Sequence, residues 1–259
     1  MKSLLRKIMF YSLGFVSYFV TLVAMNTCAQ TTSSFTDGSL TAKTVTAYGD
    51  AKVVNGQSKF AGPVGTFDGA GDYLVVSPSP LDANPKVFTI EAWIYMTSVP
   101  ANGWPIVSQS ANGSAGAQQL FVSGSNGGTT NLNKLRFSRG TDVTNSIDLI
   151  GTTVLPLNQW VHVALNSDGV TLKLFVNGNL DNSVPMNTGW VDTAQAFYVA
   201  TTLNPSVPQN QSFAKGKISD LRITKNSARY KNVFILFIIF KRKLVPKSSY
   251  EEKSCSRSG

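Results

Sequence analysis

Glu91 is the only glutamate before Glu251, and it sits inside the run FTIEAWIYM, residues 88 to 96. A carboxylate among aromatics invites a test for sugar-cleaving chemistry. Glycosidic hydrolysis takes two carboxyl groups. One protonates the leaving oxygen; the other attacks or activates water, and retaining enzymes hold the two about 5 Å apart. On a strand, residues two and four positions along share a face. The positions sharing Glu91's face are Thr89, Trp93 and Tyr95, none of them acidic. Asp142 and Asp148 read as part of a loop-like stretch, and Asp220 stands alone on a later strand. Glu91 therefore reads as a hydrogen-bonded structural group, or as part of a binding face, rather than as a catalytic acid.

His162 is the only histidine, lies between Val161 and Val163, and shares a face with Trp160 and Ala164. One histidine cannot build a multi-histidine metal site. No Gly-x-Ser-x-Gly turn offers it a nucleophile. It reads as a packed strand residue. Gly113, Gly116, Gly124, Gly127 and Gly128 fall in a Ser/Asn-rich stretch, which reads as a rim loop rather than a phosphate cradle.

Binding chemistry is better represented. Sugar recognition combines aromatic rings, which carry a large apolar face and a polar handle, with polar groups that match hydroxyls. Trp104 in NGWPIV, Trp190 in NTGWVD and Tyr198 in AFYVAT are the ring candidates. Trp104 and Trp190 flank turn residues, which favours exposure; the alternative is that they cap the ends of the fold. Trp93 and Trp160 sit in strong strands and read as core. Arg136 and Arg139 suit an acidic sugar or sulfate, or else a solvated strand face. Calcium, the one cofactor these residues suggest, needs several loop oxygens. Asp142, Asn145 and Asp148 in TDVTNSID form the more ligand-like group, while Asp68 and Asp72 in FDGAGDY read as turn formers.

These residues need elements to position them. After residue 31 no long segment of helical period appears. Short β-rich runs stand between clusters of Gly, Asn, Asp, Pro and Ser. The runs are 73–76, 88–96, 135–138, 160–165, 171–176, 196–201 and 217–224. Asp168-Gly169 and Asn177-Gly178 supply the positive φ of tight hairpin turns, so residues 160–184 predict a meander. Such a series argues for an all-β sandwich or barrel. TIEAWIY is bulky on both faces, so the outer face of its sheet must be covered or line a groove.

Four stretches, FDGAGDYLVV (67–76), FTIEAWIYM (88–96), LNQWVHVALNSDGVTLKLFVNGNL (157–180) and KGKISDLRITKNSARY (215–230), occur in an order and spacing that resembles the concanavalin A-like lectin/glucanase superfamily, in its laminin-G-like, pentraxin-related branch. The lead-in AKTVTAYGDAKVVNGQSKF (42–60) is similar to that of many such proteins, tail-associated proteins of bacterial viruses among them. The resemblance implies an antiparallel jelly-roll β-sandwich of two sheets, with ligand on one sheet face or its rim loops. It also implies that sugars are frequent ligands and that some relatives hold calcium. Sugar-cleaving relatives carry an E-x-D-x-E run on one strand, and this chain has none.

The ends differ from the body. The net charge of +9 comes from the termini: residues 31–224 hold eleven Lys/Arg against twelve Asp/Glu. A nucleic-acid partner, which needs clustered cations on the folded domain, is set aside. Residues 1–29 show a basic start, an apolar run from Met9 to Met25, and Thr27 and Ala29 at a cleavage site, the layout of a secretory signal peptide. That predicts export, with no stable membrane span after cleavage. Neither Cys28 nor Cys255 falls in the body, so no disulfide framework is expected. From residue 231 the composition changes abruptly: Val233 to Phe240 are apolar, followed by Lys241, Arg242 and Lys243. The tail 231–259 reads as an aberrant, frame-shifted end or a short peripheral anchor. The domain expectation is one sandwich over 30–230 that binds a glycan or another extracellular surface component without cleaving it. The rivals are a structural or protein-interaction module, and a glycoside hydrolase lacking the usual acidic motif.

Overall fold

The computed structural model describes residues 43–109, 117–140, 146–186, 189–192, 196–202 and 211–230. The segments read as signal peptide and aberrant tail lie outside the described residues, as do Asp142 and Asn145.

Period-2 alternation of apolar and polar side chains is clearest in Lys134–Gly140 and Thr171–Val176. In chain order the strands are β1 (Thr44–Tyr48), β2 (Lys52–Val54), β3 (Val64–Asp68), β4 (Tyr73–Ser77), β5 (Val87–Ser98), β6 (Trp104–Gln109), β7 (Ala117–Val122) and β8 (Lys134–Gly140). They continue with β9 (Ile147–Val154), β10 (Trp160–Asp168), β11 (Thr171–Val176), β12 (Asn179–Pro185), β13 (Phe197–Val199), β14 (Thr201–Thr202), β15 (Ser212–Phe213) and β16 (Lys215–Lys225). Two single 3-10 turns, Ser125–Gly127 and Thr129–Asn131, interrupt them. No helix among the described residues is long and apolar enough to cross a membrane.

Fourteen of these strands form two seven-stranded antiparallel sheets, and β14 pairs with β15 in a short ribbon. Sheet A has the order β1-β4-β13-β6-β7-β8-β9, and sheet B the order β12-β11-β10-β5-β16-β3-β2. This is the all-β, two-sheet jelly-roll sandwich that the sequence predicts. The meander is β10, β11 and β12. Asn177 and Gly178 adopt φ of 49° and 83° to turn β11 into β12, and Asp168 Oδ1 accepts the amides of Val170 and Thr171 to close the preceding turn.

The core lies between the sheets. From sheet B it takes Phe88, Ile90, Ala92, Ile94 and Met96 of β5, with Val161, Val163 and Leu165 of β10. From sheet A it takes Leu120 and Val122 of β7, Leu135 and Phe137 of β8, and Phe197 and Val199 of β13. The alternate residue of each strand therefore faces outward.

The tryptophans exchange the places expected of them. Trp104 and Trp190 are fully buried. Trp104 Nε1 donates to the Lys215 carbonyl at 2.9 Å. Trp190 Nε1 donates to Gln109 Oε1 at 2.7 Å, and its ring lies 5.8 to 6.1 Å from those of Phe88, Phe137 and Phe197. A buried indole with its N–H satisfied is a core residue, so neither ring can serve as a ligand platform. Trp93 and Trp160, expected in the core, are instead partly exposed on the outer face of sheet B. There Trp93 meets the edge of Phe60, and Trp160 that of Tyr95.

That outer face is covered at its centre by the chain's own residues 227–230. Tyr230 is buried against Phe175 and Ala164. Its backbone exchanges hydrogen bonds with the side chain of Asn166, and its hydroxyl donates to Glu91 Oε2. Glu91 also lies 2.9 Å from Arg229 Nε, 3.4 Å from Arg222 Nη1 and 3.7 Å from His162 Nε2. Glu91 thus clamps the closing segment onto the sheet, the structural alternative among those the sequence left open. Burial, and then acceptance by Glu91, push the Tyr230 phenol well above its ordinary pKa.

Candidate functional site

Among the described residues, the outer face of sheet A is open where that of sheet B is sealed. Cross-strand register sets one row of outward side chains: Tyr198 opposite Ser108, Ser108 opposite Gln119, Gln119 opposite Ser138, and Ser138 opposite Asp148. A second row, one step along the strands, sets Phe121 opposite Arg136. Adjacent strands lie about 4.8 Å apart, so neighbouring polar groups in a row are spaced for contact with one ligand. Between β6 and β9 this surface sinks into a groove of about 590 Å³.

Pairing fixes the groove's side chains before any ligand arrives. Arg136 Nε and Nη2 donate to the two oxygens of Asp148 at 2.6 and 2.8 Å, a bidentate pair. The Arg136 guanidinium lies 5.6 Å from the centre of the Phe121 ring. Gln119 Nε2 donates to Ser138 Oγ at 3.1 Å. The rim is tied as well: Asn126 N donates to the Ala101 carbonyl at 2.9 Å, and Asn126 Nδ2 to Asn102 Oδ1 at 2.6 Å. The glycines of this rim act by close approach. A Cβ on Gly124 would stand 2.1 Å from the Pro100 carbonyl oxygen, which is backbone and cannot yield.

Of the residues singled out in the sequence, Arg136 and Asp148 meet here. Asp148 belongs to β9 rather than to a loop, and both its oxygens are engaged by Arg136. Tyr198 shares the sheet face but not the groove. The short ribbon β14–β15 crosses over β6, where Ser108 Oγ donates to the Thr201 carbonyl at 2.7 Å. Beyond that ribbon Tyr198 joins Tyr73, which stacks on Tyr48 with centroids 4.7 Å apart. Arg139 faces the opposite way from Arg136. It is buried and donates to the Gly189 carbonyl at 2.7 Å, and burial lowers its pKa. It is therefore not a solvated strand cation.

Sequence reasoning missed Ser108, Gln119, Phe121 and Ser138. The signal was present in β8, where apolar Leu135 and Phe137 alternate with Arg136 and Ser138. It was absent in β6 and β7. Proline is disfavoured inside a strand, yet Pro105 sits at a bulge between β6 and β7 that tolerates its missing N–H.

Oxygen ligands for a cation gather elsewhere. Carboxylate oxygens of Asp50, Asp68 and Asp72 lie within 4.8 Å of one another. Asp72 accepts the amides of Asp50 and Asp68 at 2.7 and 2.9 Å, and Asp68 accepts that of Ala70 at 2.6 Å. Burial raises the pKa of Asp72. These contacts build the turns around FDGAGDY, as the sequence suggests, and none of them calls for an ion.

A family model described as the concanavalin A-like lectin/glucanases superfamily, Laminin_G_3, matches residues 68–229, more than half of the chain. The chain belongs to this superfamily. In fold it is similar to domain 4 of AbnA, a GH43 extracellular arabinanase from Geobacillus stearothermophilus, in complex with arabinotriose. The two share 16% identity over 72% of this chain and 84% of that one, with a TM-score of 0.52. It is also similar in fold to the binding domain of botulinum neurotoxin DC in complex with SialylT, at 15% identity over 73% of this chain and a TM-score of 0.51. The match spans 44% of the toxin domain, less than half its length. No curated protein matches the chain in sequence.

Proposed function

We propose that this protein is a non-catalytic glycan-binding module whose ligand lies in the sheet A groove. The observation that carries the reading is the groove itself. Gln119, Ser138, Arg136 and the Phe121 ring converge on one outward surface, prearranged by their mutual contacts. Planar amide, hydroxyl and guanidinium groups beside an aromatic ring are the partners that hydroxyl-rich ligands require. Two structures of like fold hold arabinotriose and SialylT, which supports sugar as the ligand class.

The charges support binding without cleavage. Asp148 is the carboxylate among the described lining residues, and it is held by Arg136. Glycosidic cleavage needs a second carboxyl group facing it across the substrate. Glycan-array screening followed by calorimetric titration tests the reading. Binding that Gln119→Ala and Arg136→Ala both weaken supports it. Release of reducing sugar from arabinan or laminarin would overturn the non-catalytic part. We propose further that the protein is exported, on the strength of the basic start and apolar run of residues 1–29. N-terminal sequencing of secreted material is expected to find cleavage after Ala29.

A further inference from the structure

Beyond the β14–β15 ribbon the same outer face of sheet A carries a second group of rings. Tyr48 on the edge strand β1 pairs in register with Tyr73 on β4. Their rings stack with an interplanar angle of 2°. The Tyr73 ring lies 6.2 Å from that of Tyr198 and 6.3 Å from that of Phe213 on the ribbon. Tyr48 is 43% exposed, and the other three residues are partly exposed. Single apolar side chains scattered on a surface need no explanation, but four rings gathered in one place do.

The chemistry of this patch is uncharged and rich in hydroxyls. Thr44, Thr46, Val75 and Ser77 complete the outward sides of β1 and β4, and none carries a charge. None of the three phenol hydroxyls makes a hydrogen bond among the described residues. Burial, then Tyr48 and Tyr198, raise the pKa of Tyr73; burial, then Tyr48, raise that of Tyr198. The phenols therefore stay protonated in neutral solution, each able to donate and to accept. A ring face with a polar handle suits a sugar residue, which presents both C–H and O–H groups. An acidic or basic partner would find no counter-charge on these side chains.

The patch is in line with the groove. Tyr198, Ser108, Gln119, Ser138 and Asp148 follow one another across β13, β6, β7, β8 and β9. Four strand spacings separate the ends of that row, about 19 Å in all. The ribbon between them offers Thr202 to the groove lining and the Phe213 ring to Tyr73. We propose that Tyr48, Tyr73 and Tyr198 form a second subsite, which holds a distal sugar residue of the glycan chain lying in the groove. This rests on the glycan-binding reading and names its ligand as a chain long enough to reach both places, rather than a short sugar.

The test titrates the full chain with arabino-, cello-, laminari- and manno-oligosaccharides of three and of eight residues. In the series that binds, the eight-residue member is expected to bind about tenfold tighter or more, because one chain engages both subsites. Tyr48→Ala is expected to remove most of that gain, and Tyr198→Phe, which deletes a single hydroxyl, a smaller part. Both should leave the three-residue affinity at the wild-type value, which also shows that the variants are folded. Arg136→Ala should weaken both lengths alike. If the gain survives in both tyrosine variants, it reflects only the extra registers that a long chain offers, and the second subsite is wrong. It is equally wrong if both variants weaken the three-residue ligand as much as the eight-residue one. If no oligosaccharide of either length binds the wild-type chain, it is the glycan-binding reading that fails.

Discussion

The two outer faces of the sandwich are built from similar side chains and end in opposite states. On sheet B, Glu91 gathers Tyr230, Arg229, Arg222 and His162, and the chain's own residues 227–230 lie over the sheet. On sheet A, the Arg136–Asp148 pair stands at a groove edge, and among the described residues nothing lies over it. A charged cluster closed by its own polypeptide is spent on holding the fold. A comparable cluster left open keeps its hydrogen-bonding capacity for something else. The position of a charged residue in the sequence therefore says less than what covers it.

The largest effect is expected where a residue serves both faces at once. Trp190 lies between the sheets, so Trp190→Ala should cost about 3–5 kcal/mol of stability. Denaturant unfolding would measure it, and glycan binding would fall only as far as the protein unfolds. Next comes the sealed face. Glu91→Ala leaves a buried tyrosine hydroxyl and two arginines without their acceptor. Both arginines retain access to water, so the expected loss is about 2 kcal/mol. Groove affinity should stay unchanged. The open face should behave in reverse: Gln119→Ala is expected to lower glycan affinity about tenfold while moving the unfolding midpoint little. A Glu91 variant that abolished binding, or a Gln119 variant that unfolded the protein, would erase the distinction between the faces.

How much of this could be read from the chain depends on what each signal encodes. The meander β10–β12 was legible because its turns need positive φ, and Asp-Gly and Asn-Gly supply it cheaply. Strand β5 was legible from its strict alternation, and the absence of a second acid beside Glu91 followed from the same alternation. The fate of the tryptophans was not legible. Turn residues beside Trp104 and Trp190 suggest exposure, yet Gly189 lies close to the backbone of Pro85 and Lys86, and Trp190 N donates to the Pro85 carbonyl. These contacts join residues about a hundred positions apart, which no local pattern carries. The groove depends likewise on register among four strands. Arg136 was visible as a candidate, but its partnership with Asp148 is a property of how β8 pairs with β9. Strand β9 itself was hidden because IDLIGTTV does not alternate cleanly: Ile150 and Val154 put apolar residues on its outward side, while Gly151 and Thr153 interrupt the apolar inward side.

The smallest expected effect separates the faces by pH. His162, the chain's only histidine, lies on the sealed face, between the Trp93 and Tyr230 rings and beside Glu91. Burial lowers its pKa below the ordinary value of 6.5 and Arg222 acts in the same direction, while Glu91 and Asp220 oppose them. A folded-state pKa below the unfolded one means that the unfolded chain takes up the proton first. Stability due to neutral His162 is therefore complete above about pH 6.5 and declines as pH falls toward the depressed value. Urea midpoints should drop across that window, and His162→Gln should flatten the decline. The groove contains no histidine, so glycan affinity should hold steady over the same range wherever the protein remains folded. Affinity that fell in step with the midpoint would mean that the closing segment on sheet B and the groove on sheet A are coupled through the core.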